Sequence, residues 1–378
     1  MKRLPVIAIT MGDPAGVGPE VCLRAVRDPR VRRFCVPLLV GDLEVLRRHA
    51  RRMRLGGRLA AVSPEAIPEG ALGPSAPAPV IDLANVAARH RVFGQVRAAL
   101  GRAAGAYIEC AVRLVLEGRA AALATGPIHK EAFQAGGYAF PGHTEMLAHL
   151  CRGAGGGGGG RRPGGGGKRE GAGEPVMMLA HGRVRIAHLS THLPLRRAIG
   201  RIRRGRVLRV IRLLAETLEG LDRRPPRIAV AGLNPHAGEG GLFGREEIEE
   251  IAPAVEDARA EGIDARGPEP PDTIFAKLRG RVFDGAVAMY HDQGHIAGKL
   301  MAFRFDAAGR GAVRGVNVTL GLPIVRTSVE HGAGFEIAGR GEADHASMVD
   351  ALRLAARLVR SRAAGARPRA RRVSARPR

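Results

Sequence analysis

Short apolar runs and longer stretches of helical periodicity alternate along most of the chain. Residues 4–10 and 120–124 are continuous apolar runs bounded by polar residues, proline or glycine, a pattern typical of buried strands. Residues 95–117 instead repeat small and apolar side chains with the period of a helix. Strands and helices that alternate through short loops predict an α/β protein with a mostly parallel sheet. Further strands are predicted at residues 36–40, 80–83, 175–180, 184–190, 227–231, 286–289, 316–320 and 323–327.

Histidines follow several of these predicted strands. His192, His236 and His291 each come shortly after a strand, and His143 opens a predicted helix. We expect these side chains to converge, because the carboxyl ends of parallel strands lie at one edge of a sheet. Converging neutral imidazoles favour a divalent metal with an open coordination position. Taken alone, each histidine is more typical of a structural or hydrogen-bonding role, so the metal interpretation depends on their shared position.

Two segments depart from this pattern in composition. Residues 152–174 consist mainly of glycine, arginine and proline, which cannot form a core, and predict a flexible surface insertion. Residues 361–378 predict a disordered basic tail. Eight arginines and no acidic residue lie between residues 360 and 378, which is a third of the formal net charge of +24.

Composition narrows the classes of function. The positive charge is typical of nucleic-acid-binding proteins, but much of it is local, aromatic residues are 3% and tryptophan is absent. Stacking platforms for bases are therefore scarce, and specific nucleic-acid binding is not expected. The cysteines are scattered without paired spacing, and neither a membrane-spanning run nor a signal peptide is evident. These features predict a cytoplasmic protein without a membrane partner.

Several motifs resemble the 4-hydroxythreonine-4-phosphate dehydrogenase family of vitamin B6 biosynthesis, and they occur in the family's order between about residues 4 and 360. The resemblance implies an isocitrate/isopropylmalate-dehydrogenase-like fold, with two α/β/α lobes and a cleft between them, in a homodimer. The motifs are TMGDPAGVGPE (10–20), ATGP (124–127), PGHTE (141–145), THLPL (191–195), LNPHAGEGG (233–241), YHDQG (290–294) and VNVTLGLP (316–323).

The lobes implied by this resemblance are discontinuous. Residues 1–135 and 321–360 are assigned to the first lobe, on the cofactor side, and residues 136–320 to the second. The second lobe is expected to carry the metal, the substrate and the dimer contacts. The active site is expected at the subunit interface, where one metal ligand comes from the partner subunit.

The resemblance also assigns site residues. His192, His236 and His291 match the metal ligands, with zinc, magnesium or cobalt as the candidate metals. The implied reaction is the NAD(P)-dependent oxidation of the C3 hydroxyl of 4-phosphooxy-L-threonine, after which the 3-oxo acid loses carbon dioxide to give 3-amino-2-oxopropyl phosphate. The positions that match substrate contacts are His143, Thr144, Lys299, Asn317 and Arg326.

Lys299 and Asp292 are the two candidates for the base that takes the hydroxyl proton, and the sequence does not choose between them. Cationic Lys299 and Arg326 suit the phosphate and carboxylate of such a substrate. A bound metal would lower the pKa of the hydroxyl and stabilise the developing alkoxide.

Residues 331–344 are predicted to form a glycine-rich loop, called the cofactor loop below, and residues 331–339 of it resemble the adenosine-binding loop of β-decarboxylating dehydrogenases. His331, Gly332, Glu336 and Ile337 are therefore predicted to bind the cofactor. A carboxylate at Glu336 would accept hydrogen bonds from the ribose hydroxyls and repel a 2′-phosphate, which predicts NAD in preference to NADP.

The chain departs from the family pattern in places. Residues 295–298 replace bulky apolar residues with His-Ile-Ala-Gly, so that Gly298 is expected to loosen the support of Lys299. His129 stands where asparagine is common in the family, and the insertion and the tail are foreign to the family core. Alternative interpretations are a related dehydrogenase for 4-phospho-D-threonate, 4-phospho-D-erythronate or a dihydrodiol carboxylate, and more remotely a protein that binds nucleic acid through its tail.

Overall fold

A computed structural model describes residues 3–67, 76–154, 174–305 and 311–365. Most of the insertion predicted at residues 152–174 and most of the tail predicted at 361–378 lie outside these ranges. None of the helices in the described part of the chain is both long and apolar enough to span a membrane.

The described strands belong to one large sheet and one small ribbon. Within the described ranges, twelve strands form the sheet, in the order β3-β4-β2-β1-β5-β14-β13-β6-β7-β10-β8-β9, and β11 and β12 form the ribbon. The strands are β1 (Val6–Thr10), β2 (Val36–Gly41), β3 (Leu59–Ala61), β4 (Ala78–Asp82), β5 (Ala122–Thr125), β6 (Val176–His181), β7 (Val184–His188), β8 (Ile228–Ala231), β9 (Ala265–Glu269), β10 (Gly285–Ala288), β11 (Phe303–Phe305), β12 (Gly311–Val313), β13 (Val316–Leu320) and β14 (Arg326–Val329).

The sheet consists of two parallel blocks that run in opposite directions. From β3 to β14 all neighbours are parallel, and so are all neighbours from β7 to β9. Between the blocks the pairs β14–β13, β13–β6 and β6–β7 are antiparallel, which reverses the direction. The carboxyl ends of β7, β10 and β8 therefore share one edge, while those of β1 and β5 lie at the opposite edge. The mostly parallel sheet is confirmed, and the strands that precede His192, His236 and His291 end at the same edge, as expected.

Helices cover the sheet, and the longer ones bury an apolar face against it. α2 shows how local sequence sets these elements: Asp42 caps it by accepting a hydrogen bond from the N–H of Val45 at 2.9 Å. The helices are α1 (Gly18–Arg27), α2 (Leu43–Arg52), α3 (Ala98–Leu116), α4 (Lys130–Ala135), α5 (His143–Ala154), α6 (Leu195–Ile199), α7 (Arg204–Asp222), α8 (Ala252–Ala260), α9 (Ile274–Arg279), α10 (His291–Ala302) and α11 (Ala346–Gly365).

Two boundaries differ from the predictions in ways that bear on the site. No helix was predicted after β10, but this stretch is helix α10, and His291 is its first residue. α11 continues through Gly365, so residues 361–365, predicted to belong to the tail, are helical. Arg362 helps to hold this end by donating to the carbonyls of Pro323 and Leu322 at 3.0 and 3.2 Å.

Candidate active site

His192 and His291 lie side by side where two neighbouring strands end. β7 and β10 are parallel neighbours in the sheet, and the two histidines follow them. Their ring centroids are 5.8 Å apart, and the ring planes are tilted by 42°. Loss of hydration and the nearby charge of Lys130 lower the pKa of His192. His192 is therefore held in the neutral form that can bind a metal.

The ring of His291 is held from two sides. Its Nδ1 atom lies 2.6 Å from Oδ1 of Asp292. One helical turn later, His295 stacks on the same ring, with centroids 3.7 Å apart and planes 11° from parallel. A hydrogen bond from Nδ1–H to a carboxylate fixes the tautomer that leaves Nε2 free for a metal. The carboxylate of Asp292, a predicted candidate base, is thus engaged with a predicted metal ligand.

A buried histidine, His188, lies against this stack. It ends β7, is 2% exposed, and its ring centroid is 4.6 Å from that of His295. Burial holds the pKa of His188 well below its usual range and lowers that of His295 to about 4, so both rings are neutral at pH 7. A side chain at Gly294 would collide with the His188 ring, which explains a glycine in this turn of α10.

His236 lies on a left-handed turn that follows β8. The φ angles are 53° at His236, 56° at Ala237, 84° at Gly238, 43° at Glu239 and 67° at Gly240, and the next residue also has positive φ. L-residues rarely adopt this conformation, and almost never in succession. The turn leaves the side chain of His236 exposed.

The predicted metal ligands are not gathered within one chain. His192 and His291 are neighbours, whereas the ring near His236 is that of Phe243, with centroids 6.5 Å apart. Among the residues that the structure describes, no group of three or more His, Cys, Asp or Glu side chains is placed to hold a metal ion. This arrangement is the one expected if a second subunit supplies a ligand.

Arg326 is the cationic centre of the predicted substrate pocket. It begins β14, is 4% exposed, and donates to Oγ1 of Thr319 at 3.0 Å and to Oγ1 of Thr125 at 2.7 Å. Burial lowers its pKa to about 10, so the guanidinium stays charged at neutral pH. Asn317 lies on the same face of β13 as Thr319, because side chains alternate along a strand. Its Oδ1 atom and Nε of Arg326 are buried without hydrogen-bond partners, which suits a polar ligand.

His143, Thr144 and Glu145 open α5, and His143 and Glu145 lie close enough to Arg326 to interact with it electrostatically. Burial and the charge of Arg326 keep the pKa of His143 well below its usual range, and its Nε2 has no hydrogen-bond partner. Thr144 is half-buried. The charge of Glu145 acts on both Arg326 and His192. Glu145 therefore connects the substrate pocket electrostatically with the histidine pair.

Lys299 lies on the same side of α10 as the stacked histidines. His291, His295 and Lys299 are spaced by four residues, which places them along one helix face. The side chain of Lys299 is exposed, and its Nζ atom lies 5.8 Å from the centroid of the Phe303 ring. The helix thus presents an imidazole and an ammonium toward one region.

Gly298, which was expected to loosen the support of Lys299, has a role in packing. The residue is buried, and a Cβ atom there would lie 2.9 Å from Cδ1 of Leu179 in β6. The missing side chain lets α10 pack closely on the sheet.

The cofactor loop is held by side chains of both charges. Glu20 is fully buried and accepts hydrogen bonds from the N–H groups of Gly339 and Gly341, the latter at 3.2 Å. Arg24, one turn later in α1, donates to the Gly341 carbonyl at 2.5 Å. Arg52 of α2 donates to the Gly339 carbonyl at 3.2 Å. Two helices therefore fix the backbone of this loop.

The residues predicted to bind the cofactor occupy the start and middle of this loop. His331 is partly buried, its Nδ1 lies 2.9 Å from the Gly332 carbonyl, and its Nε2 has no hydrogen-bond partner. Burial lowers the pKa of His331. Glu336 is exposed, as a group that contacts a ribose must be, and Ile337 packs against the core.

The glycine-rich turn after β1 packs against the cofactor loop. The N–H of Val17 donates to a carbonyl of the loop at 2.8 Å. Asp13 is fully buried, and its Oδ1 accepts a hydrogen bond from the Ala15 N–H at 2.9 Å, while Oδ2 has no partner. Burial raises the pKa of Asp13 to about 6. His129, whose charge acts on Asp13, stacks on Phe335 with centroids 4.5 Å apart.

Sequence reasoning gave no role to several residues that shape the site. Glu20 and Glu145 lie inside quoted motifs, and an acidic residue in a predicted helix start was the available signal. His188 and Glu247 gave no signal, because their contacts depend on how distant segments pack.

Comparisons with known proteins point to one family. Residues 33–355 match the family described as pyridoxal phosphate biosynthetic protein PdxA. The D-threonate 4-phosphate dehydrogenase of Cupriavidus necator is 43% identical over 366 residues, 95% of this chain and 99% of that protein. The 4-hydroxythreonine-4-phosphate dehydrogenase of Trichlorobacter lovleyi is 41% identical over 361 residues, 95% of this chain and 98% of that protein.

Solved structures agree with this result. A 4-hydroxythreonine-4-phosphate dehydrogenase from Burkholderia phymatum matches with a TM-score of 0.73 at 40% identity, over 94% of this chain and 98% of that chain. The match extends over nearly the whole chain and confirms the predicted isocitrate/isopropylmalate-dehydrogenase-like α/β fold.

Proposed function

Because the chain belongs to the family of the pyridoxal phosphate biosynthetic protein PdxA, we propose that it is a metal-dependent dehydrogenase that oxidises a four-carbon acid phosphorylated at C4. The hydroxyl at C3 would be oxidised with NAD, and the resulting 3-oxo acid would lose carbon dioxide. The observation that carries the proposal is the His192–His291 pair, with ring centroids 5.8 Å apart at the ends of adjacent parallel strands.

The donor set fits a divalent metal. His192 is held neutral, and Asp292 orients His291 so that Nε2 is free. His236 of a second subunit would complete the set of three imidazoles, and zinc, cobalt and magnesium are the candidate ions. When bound, the metal would supply Lewis-acid stabilisation of the oxygen at C3.

The remaining residues would bind the substrate and move its proton. Arg326, buried between two hydroxyls, suits a carboxylate or phosphate, and His143, Thr144 and Asn317 would add neutral contacts. We favour Lys299 over Asp292 as the base, because the Asp292 carboxylate is already paired with His291.

D-Threonate 4-phosphate is our first candidate substrate. The threonate has a hydroxyl at C2, where 4-phosphooxy-L-threonine has an ammonium. An ammonium would enter a region where Lys130 and Arg326 already act on the predicted site residues as cations, so the neutral hydroxyl costs less electrostatically. 4-Phosphooxy-L-threonine, first by motif resemblance, is the second candidate, favoured by the family description and by relatives of that name.

The cofactor is proposed to be NAD. Exposed Glu336 lies on a loop whose backbone is fixed by Glu20 and Arg24, so its carboxylate is presented from a rigid support. A fixed carboxylate near the ribose would disfavour the 2′-phosphate of NADP.

The active unit is proposed to be a homodimer. Leu242 and Phe243, which follow the His236 turn, are 73% and 47% exposed, and Ile296 and Leu300 on α10 are 69% and 82% exposed. Apolar side chains exposed around both halves of a site are typical of a surface that a partner covers. A second copy docked there would bring His236 toward the His192–His291 pair.

The lobe boundary is proposed to lie between β13 and β14. All strands of the first parallel block come from residues 1–135 and 321–360, whereas β6 to β10 and β13 come from residues 136–320. This division of the strands supports the proposed lobes.

A substrate panel tests the proposed function. Purified protein with NAD and added zinc, cobalt or magnesium would be given D-threonate 4-phosphate, 4-phosphooxy-L-threonine, D-erythronate 4-phosphate and a dihydrodiol carboxylate, and NADH would be followed. We expect the highest kcat/KM with the threonate, whose 3-oxo acid loses carbon dioxide to give dihydroxyacetone phosphate. Turnover of none of the phosphorylated acids with any metal would refute the assignment.

The remote nucleic-acid alternative is tested by removing residues 366–378, which leaves α11 intact. The dehydrogenase interpretation expects unchanged kcat/KM after this deletion. The alternative expects no dehydrogenase turnover in either protein, and nucleic-acid binding that this deletion abolishes.

A further inference from the structure

The turn that carries His236 has a strained, left-handed backbone. Residues 236–241 all have positive φ, and three of them, His236, Ala237 and Glu239, carry a Cβ that makes this conformation unfavourable. Such a turn persists only when its surroundings hold it. Neighbouring groups must therefore fix the start of the turn.

Glu247 fixes it. The residue is 2% exposed, and its Oε1 accepts hydrogen bonds from the N–H groups of Leu233 and Asn234, both at 2.7 Å. Its Oε2 accepts a third, from Nδ2 of Asn234, at 2.8 Å. One buried carboxylate thus satisfies both backbone donors and the side-chain donor that immediately precede Pro235 and His236.

The same carboxylate lies directly under the turn. A Cβ atom at Gly238 would lie 2.9 Å from Oε2 of Glu247, and one at Gly232 would lie 3.1 Å from Oε1. Glu247 also begins a π-helical turn, Glu247–Ile251, which leads into α8. Single π turns are frequent at functional sites.

We propose that Glu247 is a positioning residue that holds the left-handed turn in the conformation that presents His236 to the metal site of a partner subunit. The geometry of the carboxylate and the turn carries this inference, and the role of His236 rests on the proposed function. Because the contacts lie within one chain, the turn is formed before two subunits meet. When two subunits associate, His236 then only has to reach the partner's metal site, because its own turn is already folded.

The test compares Glu247→Ala and Glu247→Gln with Glu246→Gln. Glu246 accepts from the same Asn234 Nδ2 atom at 2.8 Å but from neither backbone N–H, which makes it the matched control. Glu247→Gln keeps the size of the side chain and loses one acceptor oxygen, so it serves if the alanine variant does not fold. Hydrogen exchange at residues 233–243 would be measured in metal-free protein, and Co²⁺ affinity by its visible absorption.

For Glu247→Ala we expect exchange at residues 233–234 to be about tenfold faster, with exchange in β8 unchanged. Glu247→Gln should show a smaller change in the same direction, and Glu246→Gln little change. We expect Co²⁺ affinity to fall by about 10- to 100-fold for Glu247→Ala, as for other residues that orient metal ligands. Unchanged exchange in both Glu247 variants would overturn the proposal, whatever the metal affinity.

The metal measurement separates this proposal from the proposed function. His236→Ala should weaken Co²⁺ binding at least as much as Glu247→Ala. Exchange could become faster in the Glu247 variants while Co²⁺ affinity is unaffected both in them and in His236→Ala. In that case Glu247 does hold the turn, but the assignment of His236 to the metal fails. If His236→Ala weakens Co²⁺ binding but Glu247→Ala, with its loosened turn, does not, Glu247 is not a positioning residue for the metal.

Discussion

The cofactor loop and the His236 turn are both held by a buried carboxylate, but they differ in how much else supports them. Glu20 shares its task with Arg24 and Arg52, which bind the carbonyls of the same loop residues. Among the residues that the structure describes, no arginine shares the task of Glu247 in this way, and the residues after the turn, Leu242 and Phe243, are exposed.

The difference indicates which part of the site one chain completes alone. The cofactor loop packs on α1 and on the turn after β1, so its shape depends on the core of its own chain. The His236 turn has a fixed start and an apolar, exposed end, which suits docking against another surface. We infer that cofactor binding depends on the single chain and metal binding on the dimer.

The largest expected effect breaks this comparison directly. His236→Ala and His291→Ala should each lower kcat/KM by roughly a thousandfold, because losing a ligand removes several kcal/mol of stabilisation from the metal site. If His236 acts on the partner subunit, unfolding the two inactive variants together and refolding them should restore activity. Half of randomly formed dimers would be hybrids with one intact site, so recovery should approach about a quarter of wild-type activity.

The control is each variant refolded alone, which should stay inactive. Recovery no greater than in these controls, with hybrid dimers shown to be present, would mean that His236 serves its own chain. The contrast between a single-chain and a shared half of the site would then be wrong.

The next largest effect concerns Asp13, in the glycine-rich turn after β1 that packs against the cofactor loop. Burial raises the pKa of Asp13 from 3.8 to about 6, so the folded state binds its proton more tightly than the unfolded state. The contribution of Asp13 to the free energy of unfolding therefore falls as pH rises from about 4 to about 6, by roughly 3 kcal/mol. Asp13→Asn keeps the acceptor for Ala15 and should remove this loss.

Urea unfolding at pH 4, 5, 6 and 7 checks this prediction. Asp13→Asn should differ little from wild type at pH 4 and be more stable at pH 7. Comparison of the two proteins matters, because burial lowers the pKa of His49 to about 4 and adds a pH dependence of opposite sign to both. Parallel stability curves would show that Asp13 does not titrate in this range.

Glu20→Gln tests the better-supported half. An amide cannot accept from both Gly339 and Gly341 without turning its own N–H₂ toward one of them, so the free energy of unfolding should fall by about 1–2 kcal/mol. KM for NAD should rise, with Co²⁺ affinity unchanged. Glu44→Gln on the surface of α2 is the control, since Glu44 pairs only with exposed Arg47. A change in metal affinity would show that the two halves are not independent.

Much of the fold was accessible from the sequence, because its strands are continuous apolar runs. β13 was predicted with its observed bounds, and β8 and β10 within one residue at each end. β3 and β9 were missed. β3 is only three residues long and half-exposed, and β9 contains proline and glycine, so neither has the long buried apolar run that marks the other strands. α10 was missed as a helix because Gly294 and Gly298 lower its propensity, and packing against His188 and Leu179 outweighs that cost.

The site was predicted less completely than the fold, for a physical reason. The family resemblance named the groups proposed to bind a substrate, such as Arg326, but not the groups that hold them. Glu20 contacts Gly339 and Gly341, which are more than 300 positions away in the sequence. His188 contacts His295 only through packing of α10 on β7. Local periodicity carries no information about such pairs.

The smallest expected effect sharpens the metal half within a single chain. His295 stacks on His291 and its Nδ1 lies 3.0 Å from the His291 carbonyl. His295→Phe keeps the flat ring and should leave Co²⁺ affinity nearly unchanged, whereas His295→Leu loses it and should weaken binding about tenfold. His149→Leu, an exposed histidine of α5, is the control. Equal losses of Co²⁺ affinity in the Phe and Leu variants would show that the nitrogen atoms of His295, not its stacking, support His291. No loss in either variant would show that His295 has no part in metal binding.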